Sequence, residues 1–240
     1  MLLFNTLSVY GLIYAAGFIV FALVKHPFLQ AGSLAYRFFI ALYTAIAVIV
    51  GGRLFYALIY EPVYYINNPV EILELYKGGM SFHGAFVLCI VMIYVLDRGA
   101  FLKNLDRAAL TAMLLLPAGR VVNFLNGELY GRPSSLPFAF IFEGGGEIPR
   151  HPSQLYEAIA EGPLIALVIF ILYRMGKIEK AGQIAYIFAL LYAIFRFIIE
   201  FTREADLSVG YIATYFSAGQ ILCLLQLLAT LVFYKFFIKR

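Results

Sequence analysis

The sequence predicts an all-α polytopic membrane protein with seven transmembrane helices, and three observations carry that expectation. Hydrophobic residues make up 63% of the 240 and charged residues only 13%, outside the balance of a water-soluble domain. Apolar runs of roughly 18 to 23 residues, the length that crosses a ~30 Å hydrocarbon layer at ~1.5 Å per residue, recur along the whole chain. The basic residues of the loops between those runs fall mostly on one side.

The spans are expected at 7–24, 38–60, 79–96, 108–125, 155–173, 183–201 and 212–233. The first is not followed by a small-residue cleavage site, so it reads as a retained helix rather than a signal peptide. The second carries Arg53, the third opens on the Gly78-Gly79 pair ahead of His83, and the fourth carries Arg120 and Asn123. Glu157 lies near the start of the fifth, and Tyr192, Arg196 and Glu200 lie in the sixth. Cys89 and Cys223 sit in the apolar runs of the third and seventh, where a thiol packs as a small hydrophobe.

Loop charge sets the orientation. Lys25, Arg37, Arg98, Lys103, Arg107, Arg174, Lys177, Lys180, Lys235, Lys239 and Arg240 share one side, against Lys77, Arg132, Arg150 and Arg203 on the other. The positive-inside rule then puts the N-terminus outside and the C-terminus in the cytoplasm, as an odd number of spans requires. The longest connections, 61–78 and 126–154, are external and form a small cap on one integral domain, 1–240. With no Trp and 18 Tyr, tyrosine supplies the interfacial aromatic belt.

Several chemistries drop out. The net charge of +4 follows topology, so nucleic acid is not an expected partner. Asp97, Asp106 and Asp206 are too scattered for a metal-dependent phosphotransferase, and neither a strained serine elbow nor a glycine-rich phosphate loop is present. No metal and no cofactor is expected. What remains is the stretch 119–133, which brings Arg120, Asn123, Asn126, Glu128 and Arg132 out of an apolar run into a polar loop. Such residues are costly against lipid and belong in a protein-lined or wet site.

Depth ties this stretch to others. Arg120 and Arg196 lie 12 and 13 residues into their expected helices, ~18 to 20 Å from the cytoplasmic ends. Tyr10, His83 and Glu157 reach a similar level from the outside. Tyr192, Arg196, Glu200 and Arg203, spaced four, four and three, share one helical face, which must look inward. Arg120, Asn123 and Gly127 form a second stripe if the fourth helix continues that far. Guanidinium forks bind phosphate oxygens bidentately and stabilise phosphate as it leaves, so an Arg-rich, metal-free site suits an anionic lipid headgroup. Plainer readings stand beside this one: Arg196 with Glu200 as a structural ion pair, His83 as a turn residue, His151 at a helix start, and Arg53 snorkelling or structurally paired.

Four stretches resemble the prolipoprotein diacylglyceryl transferase family: Gly78-Gly79-Met80-Ser81-Phe82-His83-Gly84, 119–133, Arg150-His151-Pro152-Ser153-Gln154-Leu155-Tyr156-Glu157, and Phe195-Arg196-Phe197-Ile198-Ile199-Glu200-Phe201-Thr202-Arg203. Tyr10-Gly11-Leu12 and Gly52-Arg53-Leu54 are similar too, so the likeness runs through nearly the whole chain. It departs at Ala85, where many members have a second Gly, at Tyr130, where Trp is common, and in a shorter 140–150 segment.

The resemblance implies a bacterial inner-membrane enzyme with its active site toward the periplasm. Its reaction moves the sn-1,2-diacylglyceryl group from phosphatidylglycerol to the lipobox cysteine thiol of a prolipoprotein signal peptide and releases glycerol phosphate. It implies catalytic roles for His83, Arg120, Arg196 and Tyr192. Phosphatidylglycerol-binding roles follow for Arg120, Arg196, Tyr10, Asn123, Asn126, Glu128, Gly131, Glu157, Glu200 and Arg203. A thiol is only a few per cent thiolate at neutral pH, so it needs a base or a cationic field. His83 is the first candidate for that base, with a Glu or the phosphate itself as alternatives. A transporter or flippase for an anionic lipid or solute is the competing class, opposed by the lack of two similar halves with paired broken helices.

Overall fold

Helices form where the apolar runs predict them, and polar residues decide where each one starts and stops. The computed structural model describes residues 6–24, 32–204, 211–212 and 216–238. Lys25, Lys239 and Arg240 of the loop charges, and Asp206, lie outside the described residues. The chain forms two compact units, Met1–Arg107 and Ala108–Arg240.

The first unit contains α1 (Thr6–Leu23), α2 (Leu34–Phe55), the short α3 (Pro62–Asn67) and α4 (Phe82–Leu96). Ser33 caps α2 by accepting from the Tyr36 amide at 3.2 Å, and Ser81 caps α4 by accepting from that of Gly84 at 3.4 Å. α2 and α4 cross closely because both are glycine at the crossing: a Cβ on Gly51 would lie 2.4 Å from the Gly84 carbonyl oxygen, and one on Gly84 2.3 Å from that of Gly51.

Beyond α2 the chain widens into a π turn, Tyr56–Tyr60, and returns through α3 and the 3₁₀ turns Pro69–Leu73 and Leu75–Lys77. Buried Arg53 holds this return. Of the two plain readings it follows structural pairing, with carbonyls as partners: Nε donates to Ile72 O at 2.9 Å, Nη2 to Glu71 O at 2.7 Å and Glu74 O at 3.2 Å, and Nη1 to the carbonyls of Gly78 and Gly79.

α5 (Phe101–Leu125) begins in the first unit, seven residues before the expected span at 108, so Lys103, Asp106 and Arg107 are helical rather than loop residues. The reason is a chain of polar pairs. Asp97 Oδ1 accepts from the Ala100 amide at 2.8 Å, and its Oδ2 accepts from the Tyr36 hydroxyl. Asn104 Nδ2 donates to the same hydroxyl at 3.0 Å, and Arg107 Nη1 donates to Asn104 Oδ1 at 2.7 Å. Asp97 and Arg107 are thus tied into the fold through Tyr36 and Asn104.

The second unit takes in the rest of α5, then α6 (Ser153–Ile159), α7 (Ile165–Arg174) joined to it by the π turn Ala160–Leu164, α8 (Gln183–Ile199) and α9 (Ala218–Phe233). Gly182, at φ 91°, sets the turn into α8. α8 and α9 are tied by Gln226 Nε2 donating to Ala189 O at 3.0 Å. The seventh span starts later than the expected 212, because β1 (Tyr211–Ile212) and β2 (Phe216–Ser217) pair as an antiparallel hairpin. A capping box of Ser217 and Gln220 then opens α9.

Among the described residues, five helices are long and apolar enough to cross a membrane: Leu34–Tyr60, Phe101–Leu125, Ser153–Arg174, Gln183–Thr202 and Ala218–Ile238. Shorter apolar helices occupy Val9–Leu23 and Phe82–Leu96. The protein is mostly helical, as an all-α membrane protein should be.

Candidate functional site

The second unit gathers an Arg–Glu network around one carboxylate. Glu157, fully buried one turn into α6, forms ion pairs with Arg120 of α5 at 2.9 Å and with Arg196 of α8 at 3.3 Å, and accepts a hydrogen bond from Arg203 beyond α8 at 2.8 Å. Three separate segments therefore meet on two oxygen atoms. Glu200 pairs with Arg196 one turn before it and lies 3.5 Å from Arg203 Nε. Tyr192 and Arg196 share a face of α8, but α8 ends at Ile199: Glu200 opens a 3₁₀ turn and Arg203 is extended, so the helical face expected through Arg203 stops short while its residues still join the network.

Glu161 was not anticipated. It is fully buried, and Arg120 donates to it from Nε at 3.1 Å and from Nη2 at 3.2 Å, a bidentate fork. Its signal was present in the sequence, since it follows Glu157 by four residues within a predicted span. Close approach of helices delivers it: a Cβ on Gly162 would lie 2.1 Å from Pro117 Cγ and 2.7 Å from Met113 O. Glycine and the π turn together let this segment press against α5 beside Arg120.

Glu200 is held in a similar way from α9. Ser217 Oγ donates to Glu200 Oε1 at 2.8 Å, and a Cβ on Gly219 would lie 2.7 Å from the same oxygen. A carboxylate at the first turn of α9 also meets the positive end of that helix.

The loop after α5 is built around the same centre. α5 stops at Leu125, so the stripe expected through Gly127 ends earlier; Gly127 turns at φ 67°. Glu128 folds back across the helix end, accepting from Asn123 Nδ2 and Asn126 Nδ2, each at 3.2 Å. Gln154 Nε2 donates to Glu128 O at 2.6 Å, and Ser153 Oγ to Leu129 O at 3.2 Å, which fastens the loop to α6. Gly131 is the pivot: a Cβ there would lie 2.4 Å from Thr202 O and 2.7 Å from His151 Cβ. Arg132 Nε donates to Arg203 O at 2.7 Å, and Arg150 reaches Gly145 O at 3.1 Å, Gly131 O at 3.2 Å and the Glu204 carboxylate. His151 joins the Arg132 backbone just ahead of α6, a helix-start position as its sequence suggested.

The network therefore unites Arg120, Arg196, Arg203, Glu157 and Glu200, and adds Glu161. Asn123, Asn126 and Glu128 make a second group at the end of α5, and Gly131 is a packing pivot beside Arg203. Counted from the observed start of α5, Arg120 stands 19 residues along, ~28 Å, rather than the 12 expected. His83, in the first turn of α4, and Tyr10, in α1, belong to the first unit.

Three guanidinium groups face three carboxylates, so the cluster is neutral if every group is ionised. Glu157 and Glu161 are sealed, yet the side chains of Arg120 and Arg196 remain 16% and 12% exposed and can reach a ligand. The ion pairs of Arg196 run through Nη1, leaving Nε and Nη2 for a further acceptor. Chemically this is a preorganised donor set for an anion with planar or tetrahedral oxygens. Among the described residues, no group of three His, Cys, Asp or Glu is placed to hold a metal ion.

A family model described as prolipoprotein diacylglyceryl transferase matches residues 2–236. Curated relatives called phosphatidylglycerol–prolipoprotein diacylglyceryl transferase are similar over nearly the full length. The protein from Oleidesulfovibrio alaskensis is 41% identical over 238 residues, covering 96% of this chain and 88% of its own. That from Bordetella avium is 41% identical over 242 residues, covering 96% and 90%, and that from Methylocella silvestris 37% over 243, covering 96% and 89%.

Proposed function

The chain belongs to the prolipoprotein diacylglyceryl transferase family, and from that premise we propose how its residues carry the reaction. It is a transferase that acts in lipoprotein maturation, with phosphatidylglycerol as donor and a prolipoprotein as acceptor. The acceptor atom is the sulfur of the lipobox cysteine in the signal peptide. Sulfur attacks C3 of the sn-1,2-diacylglyceryl group and an S–C bond forms. The C3–O bond breaks, and its electron pair leaves with glycerol phosphate. The thiol proton passes to a base.

The observation that supports this most is that Arg120 and Arg196 converge on Glu157. Two guanidinium groups held this way meet the phosphate and the charge that grows on its departing oxygen, an electrostatic contribution preset before reaction. Glu157, Glu161 and Glu200 hold the forks in position. Asn123, Asn126 and Glu128 offer polar contacts to the glycerol headgroup, and Tyr192 stiffens the face that carries Arg196. His83 as base and Tyr10 as headgroup contact rest on the resemblance alone.

The arrangement that goes with this reading is one integral domain of seven spans, with the N-terminus outside, the C-terminus cytoplasmic and caps at 61–78 and 126–154. It lies in the bacterial inner membrane, with the site toward the periplasm. Family membership disfavours the transporter reading. The test is to incubate purified protein with phosphatidylglycerol and a lipobox peptide. The expected result is a thioether peptide and released glycerol phosphate, with neither formed when the peptide cysteine is serine. Movement of lipid without product would overturn the assignment.

A further inference from the structure

Between the end of α2 and the start of α4, within the first unit, lies a cavity of about 210 Å³; a water molecule in the liquid takes up ~30 Å³. Three tyrosine rings, Tyr56, Tyr64 and Tyr65, and two carboxylates, Glu61 and Glu71, line it, with Gly78 and Gly79 completing the wall. None of these residues belongs to the Arg–Glu network.

The lining is shaped like a cage. Tyr65 stands nearly perpendicular to Tyr56 and Tyr64, at 77° and 87° between ring planes. Tyr56 Oη donates to Glu61 Oε1 at 3.1 Å and Tyr64 Oη to Glu71 Oε2 at 2.6 Å, so each carboxylate is tethered at the rim of a ring. Gly79, at φ 75°, lets the backbone meet Tyr56, since a Cβ there would lie 2.4 Å from a ring carbon. The fold already uses one of these rings as a cation platform: the Arg53 guanidinium carbon lies 5.1 Å from the centre of Tyr65. Among the described residues of the lining, aromatic faces and two carboxylates stand against that one guanidinium, a balance that favours a cation over an anionic headgroup.

The surroundings indicate where the cation comes from. The same segment exposes Val63, Ile66, Val70 and Leu73 at 73 to 80%. Side chains this apolar, side by side on short helical turns, are stable against lipid rather than water, which puts the cavity at headgroup level. We propose that this cavity binds the ammonium group of a zwitterionic phospholipid headgroup, through residues that take no part in the Arg–Glu network. The bound headgroup fastens the 61–79 segment to the membrane surface.

Native mass spectrometry of the detergent-solubilised protein tests this, with phosphatidylethanolamine or phosphatidylglycerol added in turn. Retention of the ethanolamine lipid is expected to fall at least tenfold in a Glu61→Gln/Glu71→Gln double variant and severalfold in Tyr64→Leu. It should stay within twofold in Tyr64→Phe, which keeps the ring face; phosphatidylglycerol retention should not change. Transfer activity reports whether each variant has folded. Should the variants fail to fold, the wild-type protein still decides: tetramethylammonium chloride should displace the ethanolamine lipid where sodium chloride of equal strength does not. Equal retention by the double variant, no effect of tetramethylammonium, or binding of free ethanolamine or a lysine peptide without any of the lipid would each overturn the proposal.

Discussion

Replacing Glu161 by Gln isolates one link of the network, because its ion pair with Arg120 is a fork of two contacts, at 3.1 and 3.2 Å. Gln keeps the size and one acceptor oxygen but removes the charge and turns an amide NH₂ toward a guanidinium. Hydrogen bonds to charged groups contribute ~1.5 to 3 kcal/mol each. The substitution removes one outright and weakens the other, about 3 kcal/mol, or on the order of a 10²-fold fall in kcat/KM. The loss stops there because Glu157 still holds Arg120 at 2.9 Å, so the guanidinium tilts without leaving. The assay is thioether formation on a lipobox peptide. If Glu161 acts through Arg120, adding Glu161→Gln to an Arg120→Lys protein should cost less than about twofold more, since contacting residues couple. Near-normal kcat/KM in the single variant, or the full loss repeated in the Lys background, would refute the reasoning.

Other outcomes follow from single features. Gly162→Ala places a methyl 2.1 Å from Pro117 Cγ and should destabilise the second unit by ~1 to 3 kcal/mol, seen as a lower Tm in detergent; an unchanged Tm would contradict the close packing. Arg53→Met strips a donor from five carbonyls, so limited proteolysis within 61–79 should speed up about tenfold or more, and equal cleavage rates would count against the cradle. The Tyr36 hydroxyl, and then the Ala100 amide, hold Asp97 below its ordinary value of ~3.9. A lowered folded-state value means this contribution is complete above about pH 4 and is lost as pH falls through that lowered value. The unfolding midpoint should therefore drop more between pH 5 and pH 3 in wild type than in Asp97→Asn; parallel profiles would argue against it.

Much of this was legible because period and length are strong signals. The i, i+4 spacing of Arg196 and Glu200, with Arg203 three further on, pointed to residues that meet, and they do, although α8 ends at Ile199 and Arg203 arrives on extended backbone. The apolar runs fixed most helix centres for the same reason. Starts and stops were harder. Arg107 looks like loop until Asn104 is seen to accept from it and to be tied in turn through the Tyr36 hydroxyl to Asp97, a chain that draws on separate segments. Glu161 was overlooked although its spacing from Glu157 was plain, because its partner is 41 residues away on α5 and the meeting depends on a glycine against a proline. Arg53 could not be read as a carbonyl clamp from its neighbours, since the carbonyls come from turns whose geometry no apolar period encodes. The end of α5 at Leu125 likewise hinges on Gly127 adopting positive φ and on Glu128 folding back.

For the proposed transfer, Arg120 and Arg196 must reach one phosphate, and a ³¹P NMR titration of glycerol phosphate into the protein in detergent tests that without requiring turnover. The wild-type protein should broaden the phosphorus line saturably, and Arg120→Lys and Arg196→Lys should each weaken binding by about tenfold or more, because lysine keeps the charge and loses the fork. Unchanged saturation in either variant would mean that its guanidinium holds the fold together and never meets the headgroup.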